Sequence, residues 1–483
     1  MTTTTSSPII VWFRRDLRLD DNLALKTAVE TDAPIVPLFI NEPAPAPHLE
    51  LGGAQKWWLH KTLEALAAKL NELGADLVLQ SGDPLDVLKK VIAETNADAV
   101  YWNRRYTPEH IEIDTALKSS LKDDGIDVKS FDGHLMHEPT QVKTKTGGFY
   151  RVYTPFWKSF YAARDEIVRP AIDAPDKLTS GTGVASEKLE DWKLLPTKPN
   201  WSGGLAETWT PGEAGAHERL AEFLDNGVSQ YDDERDLPST EGTSRLSPHL
   251  TFGEISPSRI WHTTLDNAAD TTGRTTFLKE LVWREFSYHL LVNTGDLANG
   301  NYNAQFDQFP WDENEERLKA WQKGATGYPI VDAGMRQLYQ TGWMHNRVRM
   351  IVGSFLVKHL LLDWRHGERW FWDTLVDADP ASNAAGWQWV AGSGADAAPY
   401  FRIFNPMTQG EKFDPKGEYV KRFVPELEKV PPKFIHKPWE APKNILEYAD
   451  VTLGATYPHP IVDHQQARTR ALDAYQTMRG KAA

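Results

Sequence analysis

The sequence predicts an α/β N-terminal domain built on a doubly wound, Rossmann-like parallel sheet, followed by an all-α C-terminal domain. Before residue 132, five short apolar runs alternate with helical stretches, which is typical of a parallel sheet covered by helices. After His217 the apolar residues recur at helical spacing, and regular period-two alternation ends. A chain of 483 residues is also too long for one ordinary core, so more than one domain is expected.

The five strands come first in the chain. They are predicted at residues 8–13, 34–40, 76–80, 98–102 and 127–131. Between them, residues 55–73 form an amphipathic helix that ends at Gly74, and Asp83-Pro84 opens another helix with a capping side chain and a proline in the first turn. No GxGxxG motif follows the first strand, so a standard dinucleotide site is not predicted there.

Three sections of the chain are predicted. Residues 1–138 form the α/β domain, residues 139–215 form a connection, and residues 216–483 form the helical domain. The connection is inferred from residues 174–215, which are rich in Pro, Gly, Ser and Thr and poor in apolar runs. The helical domain contains predicted buried or half-buried helices at residues 277–293, 328–340 and 346–362.

Composition excludes several classes of protein. The chain has no cysteine, which excludes disulfides, thiolate metal sites, iron–sulfur clusters and a cysteine nucleophile. Its net charge of −14 argues against general coating of nucleic acid, so a nucleic-acid partner requires a local basic surface. No apolar run approaches the roughly 18 residues of a membrane helix, and residues 1–7 lack a signal pattern, so we expect a cytoplasmic protein.

Residues 243–248 (TSRLSP) are the first motif with chemical potential. They place three hydroxyl groups, one guanidinium group and several backbone N–H groups at a predicted helix start. This combination suits a phosphate or pyrophosphate group. A capped helix with a surface arginine is the plainer explanation of the same residues.

A basic segment follows at residues 343–369. Asn346 and Arg349 are three residues apart and share a helix face, and an arginine on a buried face needs a carboxylate such as Asp377 or Asp379. The segment carries five Lys/Arg and two Asp/Glu, a net charge of +3. A surface for a phosphate backbone and an ordinary solvated helix edge are both open interpretations.

Two further motifs combine tryptophan with polar side chains. Glu280, Trp283 and Arg284 lie at i, i+3 and i+4 of a predicted helix, where a carboxylate, an indole and a guanidinium group can stack on a base and bind its edge. In GWQW at residues 386–389, the two indoles cannot lie one above the other on a helix, so they need different surroundings. The simpler explanation is a salt-bridged helix with one core tryptophan for the first motif and two core aromatics for the second.

Six segments, in this order, resemble the photolyase/cryptochrome family, and the match covers nearly the whole chain. Within the family the chain most resembles the photolyases that repair cyclobutane pyrimidine dimers, on the branch near plant cryptochromes. The segments are residues 11–18 (VWFRRDLR), 242–248 (GTSRLSP), 283–286 (WREF), 327–332 (GYPIVD), 343–350 (WMHNRVRM) and 401–406 (FRIFNP).

The resemblance implies FAD, held in a folded conformation by the helical domain. The residues that match the phosphate end of the family's FAD site are Tyr231, Thr243, Ser244, Arg245, Leu246 and Ser247. Those that match the rest of the FAD site are Arg284, Asn346, Arg349, Asp377, Asp379 and Asn383. Asn383 would lie against the flavin N5, where a neutral amide binds the reduced flavin without supplying a ready proton. Similar plant photoreceptors carry Asp there, so Asn383 favours repair over signalling.

The resemblance also implies a role for each tryptophan. Trp387, Trp364 and Trp311 match the electron relay that runs from the flavin to the surface. Trp283 and Trp389 would flank a lesion flipped out of the DNA, and Glu280 would bind it. Arg235 and Arg402 match DNA-contacting positions.

The expected activity is that of a deoxyribodipyrimidine photolyase, in which reduced FAD excited by blue light passes an electron to a cyclobutane pyrimidine dimer in DNA. The expected partner is damaged DNA, without a membrane, and the protein is expected to be a monomer. A folate antenna, methenyltetrahydrofolate, is expected because the segments at residues 102–106 and 53–58 resemble the branch near plant cryptochromes. The alternative is a cryptochrome-type blue-light receptor that binds FAD and signals through partners.

Overall fold

The α/β prediction is confirmed. In this computed structural model, which describes residues 6–181, 183–397 and 401–481, five strands form one parallel sheet in the order β3-β2-β1-β4-β5. Their bounds lie within about two residues of the predicted ones. They are β1 (Ile9–Phe13), β2 (Ile35–Asn41), β3 (Val78–Ser81), β4 (Ala99–Asn103) and β5 (Asp127–Phe131).

Apolar residues on both faces explain the parallel sheet. Every residue of β1 and β4 is buried, as expected where helices cover both sides of a strand. The helices of this part of the chain are α1 (Leu23–Val29), α2 (Gly53–Glu72), α3 (Pro84–Thr95), α4 (Pro108–Asp123), α5 (Tyr153–Ile167), α6 (Gly203–Thr208) and α7 (Glu213–Asn226).

The rest of the described chain is helical, as predicted. Its first four helices are α8 (Tyr231–Glu234), α9 (Ser247–Phe252), α10 (Pro257–Asn267) and α11 (Thr272–Thr294). They are followed by α12 (Glu315–Gln322), α13 (Pro329–Thr341), α14 (Asn346–Ser354), α15 (Trp364–Thr374), α16 (Pro380–Ala391), α17 (Pro406–Phe413), α18 (Glu418–Phe423), α19 (Pro432–Ile435), α20 (Lys443–Tyr448) and α21 (His464–Lys481).

The predicted continuous helix at residues 346–362 is wrong in its second half. Helix α14 ends at Ser354, and Phe355–His359 form a π-helical turn in which the Leu360 N–H donates to the Phe355 carbonyl over 3.1 Å. Leu361 then adopts a left-handed backbone conformation (φ 56°). Apolar spacing could not reveal this change, because apolar residues flank Lys358 and His359 on both sides and the turn widens without a break in that pattern.

Contacts divide the chain into two compact units. The first unit contains Met1–Ser229 and Ser244–Gly295, and the second contains Gln230–Thr243 and Asp296–Ala483. The three-part division predicted at residues 138 and 215 remains a prediction. Residues 1–5 of the N-terminal segment assessed for a signal pattern lie outside the described residues.

The segment after β1 has a structural role in the first unit. Arg18 is buried and donates to the carbonyl oxygens of Gly253 (2.9 Å), Asp21 (2.9 Å) and Gly133 (2.6 Å). The Asn22 side chain caps α1 by accepting from the Leu25 N–H over 3.1 Å. The VWFRRDLR motif therefore ties the end of β1 to α9 and to the loop after β5.

Candidate active site

Helix α16 carries three of the residues singled out in the sequence. Asp379 begins it, accepting from the backbone N–H groups of Ala381 (3.1 Å) and Ser382 (2.8 Å). Pro380 occupies the first turn, where a missing N–H costs nothing and the fixed φ suits the helix. The cap therefore fixes the start of the helix on which Asn383, Trp387 and Trp389 lie.

Asn383 is held by an acid that the sequence analysis missed. Its amide nitrogen donates to the Glu368 carboxylate over 2.9 Å and to the Glu368 carbonyl over 3.1 Å. Glu368 is 6% exposed, and burial raises the pKa of its carboxyl to about 7, an effect that the Asn383 bond and the nearby Arg369 reduce. Both amide N–H groups are thus used by Glu368, which leaves the amide oxygen of Asn383 as an acceptor.

Trp387 is buried in a space that a glycine provides. Its indole is 4% exposed and meets the edges of Phe371 (ring centroids 4.9 Å apart) and Trp321 (6.1 Å). A Cβ on Gly367 of α15 would lie 2.1 Å from Trp387 Cη2, so no other residue fits there without displacing the indole. The buried indole N–H of Trp387 has no hydrogen-bond partner among the described residues.

The other two relay candidates lie on neighbouring segments. Trp364 begins α15, is fully buried, and donates its indole N–H to the Asn301 side chain over 2.9 Å. Trp311 is half-buried against Phe309, with ring centroids 4.3 Å apart. The residue after Trp311 pairs in parallel with Leu362, two residues before Trp364, so the fold brings these two segments together.

The carboxylate partner expected for Arg349 is Asp377. The Arg349 guanidinium donates to the Asp377 carboxylate over 2.7 Å and to the Met344 carbonyl over 2.7 Å. The other candidate, Asp379, instead caps α16. Asn346, at the start of α14, is exposed.

The structure favours the plainer interpretation of the basic segment. Besides Arg349, Arg347 pairs with Asp236 (2.6 Å) and Arg365 pairs with Asp363 (2.9 Å). Lys358 is 1% exposed, and its amine donates to the Ala391 carbonyl at the end of α16 over 2.5 Å. Most of this positive charge is therefore balanced or buried, and it contributes little to an open basic surface.

The two indoles of the GWQW motif have different surroundings, as predicted. Trp389 is half-buried, and the guanidinium of Arg402 lies 6.0 Å from its ring centroid. Both residues line a small cavity of about 20 Å³, enough for one water molecule, which Lys358 and Ser354 also line. Between the indoles, the buried Gln388 donates to the Leu297 carbonyl over 2.7 Å and so fixes a loop of the second unit.

The segment that begins the second unit carries Tyr231, Arg235 and Thr243. Tyr231 is buried at the start of α8, and the Arg235 guanidinium lies 5.4 Å from its ring centroid. Thr243 is half-buried.

The other residues of the TSRLSP motif open the second stretch of the first unit. Arg245 adopts a left-handed conformation (φ 53°), which an arginine rarely does and which often marks functional segments. Leu246 is buried, Ser244 is half-buried, and Ser247 is exposed at the start of α9.

Glu280, Trp283 and Arg284 form one half-buried face of α11, while their neighbours Leu281 and Val282 are buried. The Arg284 guanidinium donates to the His134 carbonyl (2.9 Å) and contacts the His134 ring nitrogen (2.9 Å). Burial, and then Arg284, lower the pKa of His134 well below its usual value.

Sequence reasoning did not find the residues that support these side chains. Glu368, Gly367 and Asn301 are isolated polar or small residues, and their importance arises from long-range contacts. One local signal was present, because Glu368 lies four residues after Trp364 and so shares its helix face.

Comparison with known proteins agrees with this arrangement. The model of the family "DNA photolyase" matches residues 9–176, and the model "FAD binding domain of DNA photolyase" matches residues 277–477. The chain is 57% identical to the deoxyribodipyrimidine photo-lyase of Agrobacterium fabrum over 98% of both chains. It is 37% identical to Cryptochrome-1 of Arabidopsis thaliana, over 97% of this chain and 70% of that protein.

A solved structure gives the same result. The chain superposes on a bacterial class III photolyase from Agrobacterium tumefaciens with a TM-score of 0.95, at 55% sequence identity, covering 99% of this chain and 100% of the other. A parallel sheet with helices, followed by a helical region that matches an FAD-binding domain, defines a flavin-binding protein. The chain belongs to the DNA photolyase family, which includes cryptochrome relatives, and it carries that family's FAD-binding domain. Within its described residues, no helix is long and apolar enough to span a lipid bilayer.

Proposed function

We propose that the protein is a deoxyribodipyrimidine photolyase, which uses blue light to split cyclobutane pyrimidine dimers in DNA. Family membership supports the class of activity, and Asn383 supports repair over signalling. With both amide N–H groups engaged by Glu368, Asn383 presents an oxygen that accepts a hydrogen bond and has no proton to give. A neutral acceptor of this kind suits a cofactor that must donate an electron and keep its charge.

The residues of the second unit fit a flavin. Asn383, the Arg349–Asp377 pair and the indole N–H of Trp387, which has no hydrogen-bond partner in the described part of the chain, provide acceptor, charged and donor groups in one unit. When bound, reduced FAD supplies the light-excited electron. We assign Tyr231, Thr243, Asn346 and Asp379 of this unit to FAD from the resemblance, together with Ser244–Ser247 and Arg284 of the first unit.

The tryptophans have two proposed roles. Trp387 is the first donor of electrons to an oxidised cofactor, Trp364 is the second, and the half-buried Trp311 is the one nearest solvent. Burial excludes water from the first two indoles, which suits side chains that carry a charge only briefly. Trp389 serves instead as a stacking surface for the lesion, because it is half-buried beside the cation of Arg402.

The DNA contacts proposed for the first unit are Glu280 and Trp283, which share the half-buried face of α11. In the second unit they are Arg235, Trp389 and Arg402. A flipped dimer suits these residues because a lesion already weakened in stacking costs little to extrude, and indoles replace the stacking it loses. A folate antenna, a monomeric state and a cytoplasmic location remain proposals that rest on the sequence.

Repair in light and in darkness tests the proposal. The chemically reduced holoprotein is mixed with an oligonucleotide that contains a single thymine dimer, and half of each sample is kept dark. Loss of the dimer only under blue light is the expected result. Equal repair in both halves, or none in light, would contradict the proposal.

The blue-light receptor remains the second candidate, because the chain also matches Cryptochrome-1. The same samples separate the two functions when flavin reduction is followed by absorption. Light-driven flavin reduction without binding or loss of the dimer would favour the receptor.

A further inference from the structure

The lesion-facing indole proposed in the first unit is held by an unusual aromatic stack. The rings of Tyr153 and Trp283 have centroids 3.6 Å apart and planes only 8° from parallel. Aromatic pairs usually prefer offset or edge-to-face arrangements with centroids 4.5–7 Å apart. So short a centroid separation, with nearly parallel planes, means that the phenol lies face to face on the indole and covers much of one of its faces.

Tyr153 is fastened to the helix that carries Trp283. Its hydroxyl donates to the Lys279 carbonyl over 2.6 Å, one helical turn before Trp283 on α11. Tyr153 is 7% exposed, whereas Trp283 is half-buried. The phenol is therefore part of the core, and it forms a fixed base beneath a side chain that is partly open.

A third ring blocks rotation of the pair. Phe286 lies edge-on to both rings, with centroids 5.8 Å from Tyr153 at 72° and 5.8 Å from Trp283 at 77°. A turn of the Trp283 indole about its side-chain torsions would break the stack and meet the Phe286 edge. Only the face of Trp283 away from Tyr153 then remains for a ligand.

We propose that Tyr153 is a positioning residue for lesion recognition: its ring fixes the Trp283 indole so that one face is presented, already oriented, to a flipped pyrimidine dimer. This inference rests on the proposed function, in which Trp283 stacks on the lesion. A stacking surface that is ordered before binding avoids the loss of side-chain freedom on complex formation, which strengthens binding. An ordered Trp283 ring should therefore raise the affinity for DNA that contains a dimer. It should not change the affinity for undamaged duplex, where no base is flipped.

The test compares three substitutions of Tyr153 in the holoprotein. Tyr153→Met and Tyr153→Leu fill much of the space without a planar face, whereas Tyr153→Phe keeps the ring and loses only the hydroxyl. Phe223→Leu is the matched control, since Phe223 of α7 packs on Phe277 (4.7 Å, 53°), which lies on α11 six residues before Trp283. Thermal stability and FAD content confirm which variants are folded.

The measured quantities are the dissociation constants for a dimer-containing duplex and for the same duplex undamaged, at one salt concentration, and single-turnover repair at saturating protein. For the Met or Leu variant, whichever folds, we expect dimer affinity to fall about 10-fold with undamaged affinity and saturated repair unchanged. The Phe variant should stay within about threefold of wild type, as should the control.

The outcomes separate the two proposals. Wild-type protein that does not distinguish damaged from undamaged duplex would overturn the proposed function and this inference with it. Wild-type selectivity that survives in the Met or Leu variant would overturn the role of Tyr153 alone. An equal loss for both duplexes, or a loss of the same size in the Phe223 control, would show that the stack only stabilises the fold and would also overturn it.

Discussion

Replacing Glu368 with glutamine should remove a pH dependence of stability that the wild-type protein carries. Burial raises the pKa of the Glu368 carboxyl from the ordinary 4.5 to about 7. Between these two values the folded protein retains a proton that the unfolded chain releases. The free energy of unfolding must therefore fall as the pH rises between these two pKa values. Above about pH 8 the Glu368 carboxyl makes no further change to the free energy of unfolding.

The magnitude follows from the two pKa values. A tenfold change in a binding constant corresponds to about 1.4 kcal/mol, so a pKa of about 7 against 4.5 corresponds to about 3 kcal/mol in total. Part of this stabilising contribution is already lost at pH 5. The free energy of unfolding should therefore fall by about 2.5 kcal/mol between pH 5 and pH 8. The Glu368→Gln variant keeps an oxygen that can accept from Asn383 and has no proton to lose, so its stability should lack this slope.

The assay is urea unfolding of the holoprotein at saturating FAD, at pH 5, 6, 7 and 8. Wild type minus Glu368→Gln gives the contribution of this one group, since other titrating residues are common to both proteins. Glu72→Gln is the matched control, because Glu72 forms an exposed ion pair with Lys69 and should track wild type. Parallel pH profiles for wild type and Glu368→Gln would refute the argument that burial controls this carboxyl.

Three other substitutions, one of them with a matched control, examine the site. Trp387→Phe should bind FAD and repair DNA when reduced chemically but should not photoreduce, and normal photoreduction would exclude it as the first electron donor. Gly367→Ala should cost about 1–3 kcal/mol and slow photoreduction, because the added methyl meets the Trp387 ring at 2.1 Å. Gly386→Ala is the control, because its methyl meets nothing within 4 Å and the free energy of unfolding should change by less than about 1 kcal/mol. Equal losses of stability in the Gly367 and Gly386 variants would refute this steric argument. Asn383→Asp sets a second carboxyl against Glu368, so one of the two should hold a proton at neutral pH. Repair should then fall at least about 10-fold. Unchanged repair would show that the Asn383 amide is not required.

The sequence contained most of the fold because its signals are local. Each strand is a short apolar run, and the helix start predicted at Asp83-Pro84 carries the expected capping side chain, since Asp83 accepts from the Leu85 and Asp86 N–H groups. The π turn after Ser354 was missed, because the segment stays rich in apolar residues and only the hydrogen-bond spacing changes. The local pattern of apolar residues predicts which residues face the core. It does not predict whether the backbone is an α-helix or a π-helix.

The site was predictable to a smaller extent, because its parts come from distant segments. Spacing indicated that Arg349 needs a carboxylate, but only the fold distinguishes Asp377, which binds it, from Asp379, which caps α16. The partnership of Glu368 with Asn383 spans fifteen residues and two helices. No residue pattern predicts such a contact, because the sequence does not show whether a glutamate is buried or exposed.

The different surroundings of Trp387 and Trp389 follow from helix geometry together with one small residue. Successive residues of an α-helix are separated by about 100°, so these two indoles point about 200° apart. Geometry alone does not say which of them is buried. That choice is made by Gly367, which opens the space for the Trp387 ring, while Trp389 is left half-buried beside Arg402. If Trp387 is the electron donor, a glycine on a different helix is as necessary to photoreduction as the tryptophan itself, because without that space the indole cannot occupy its site.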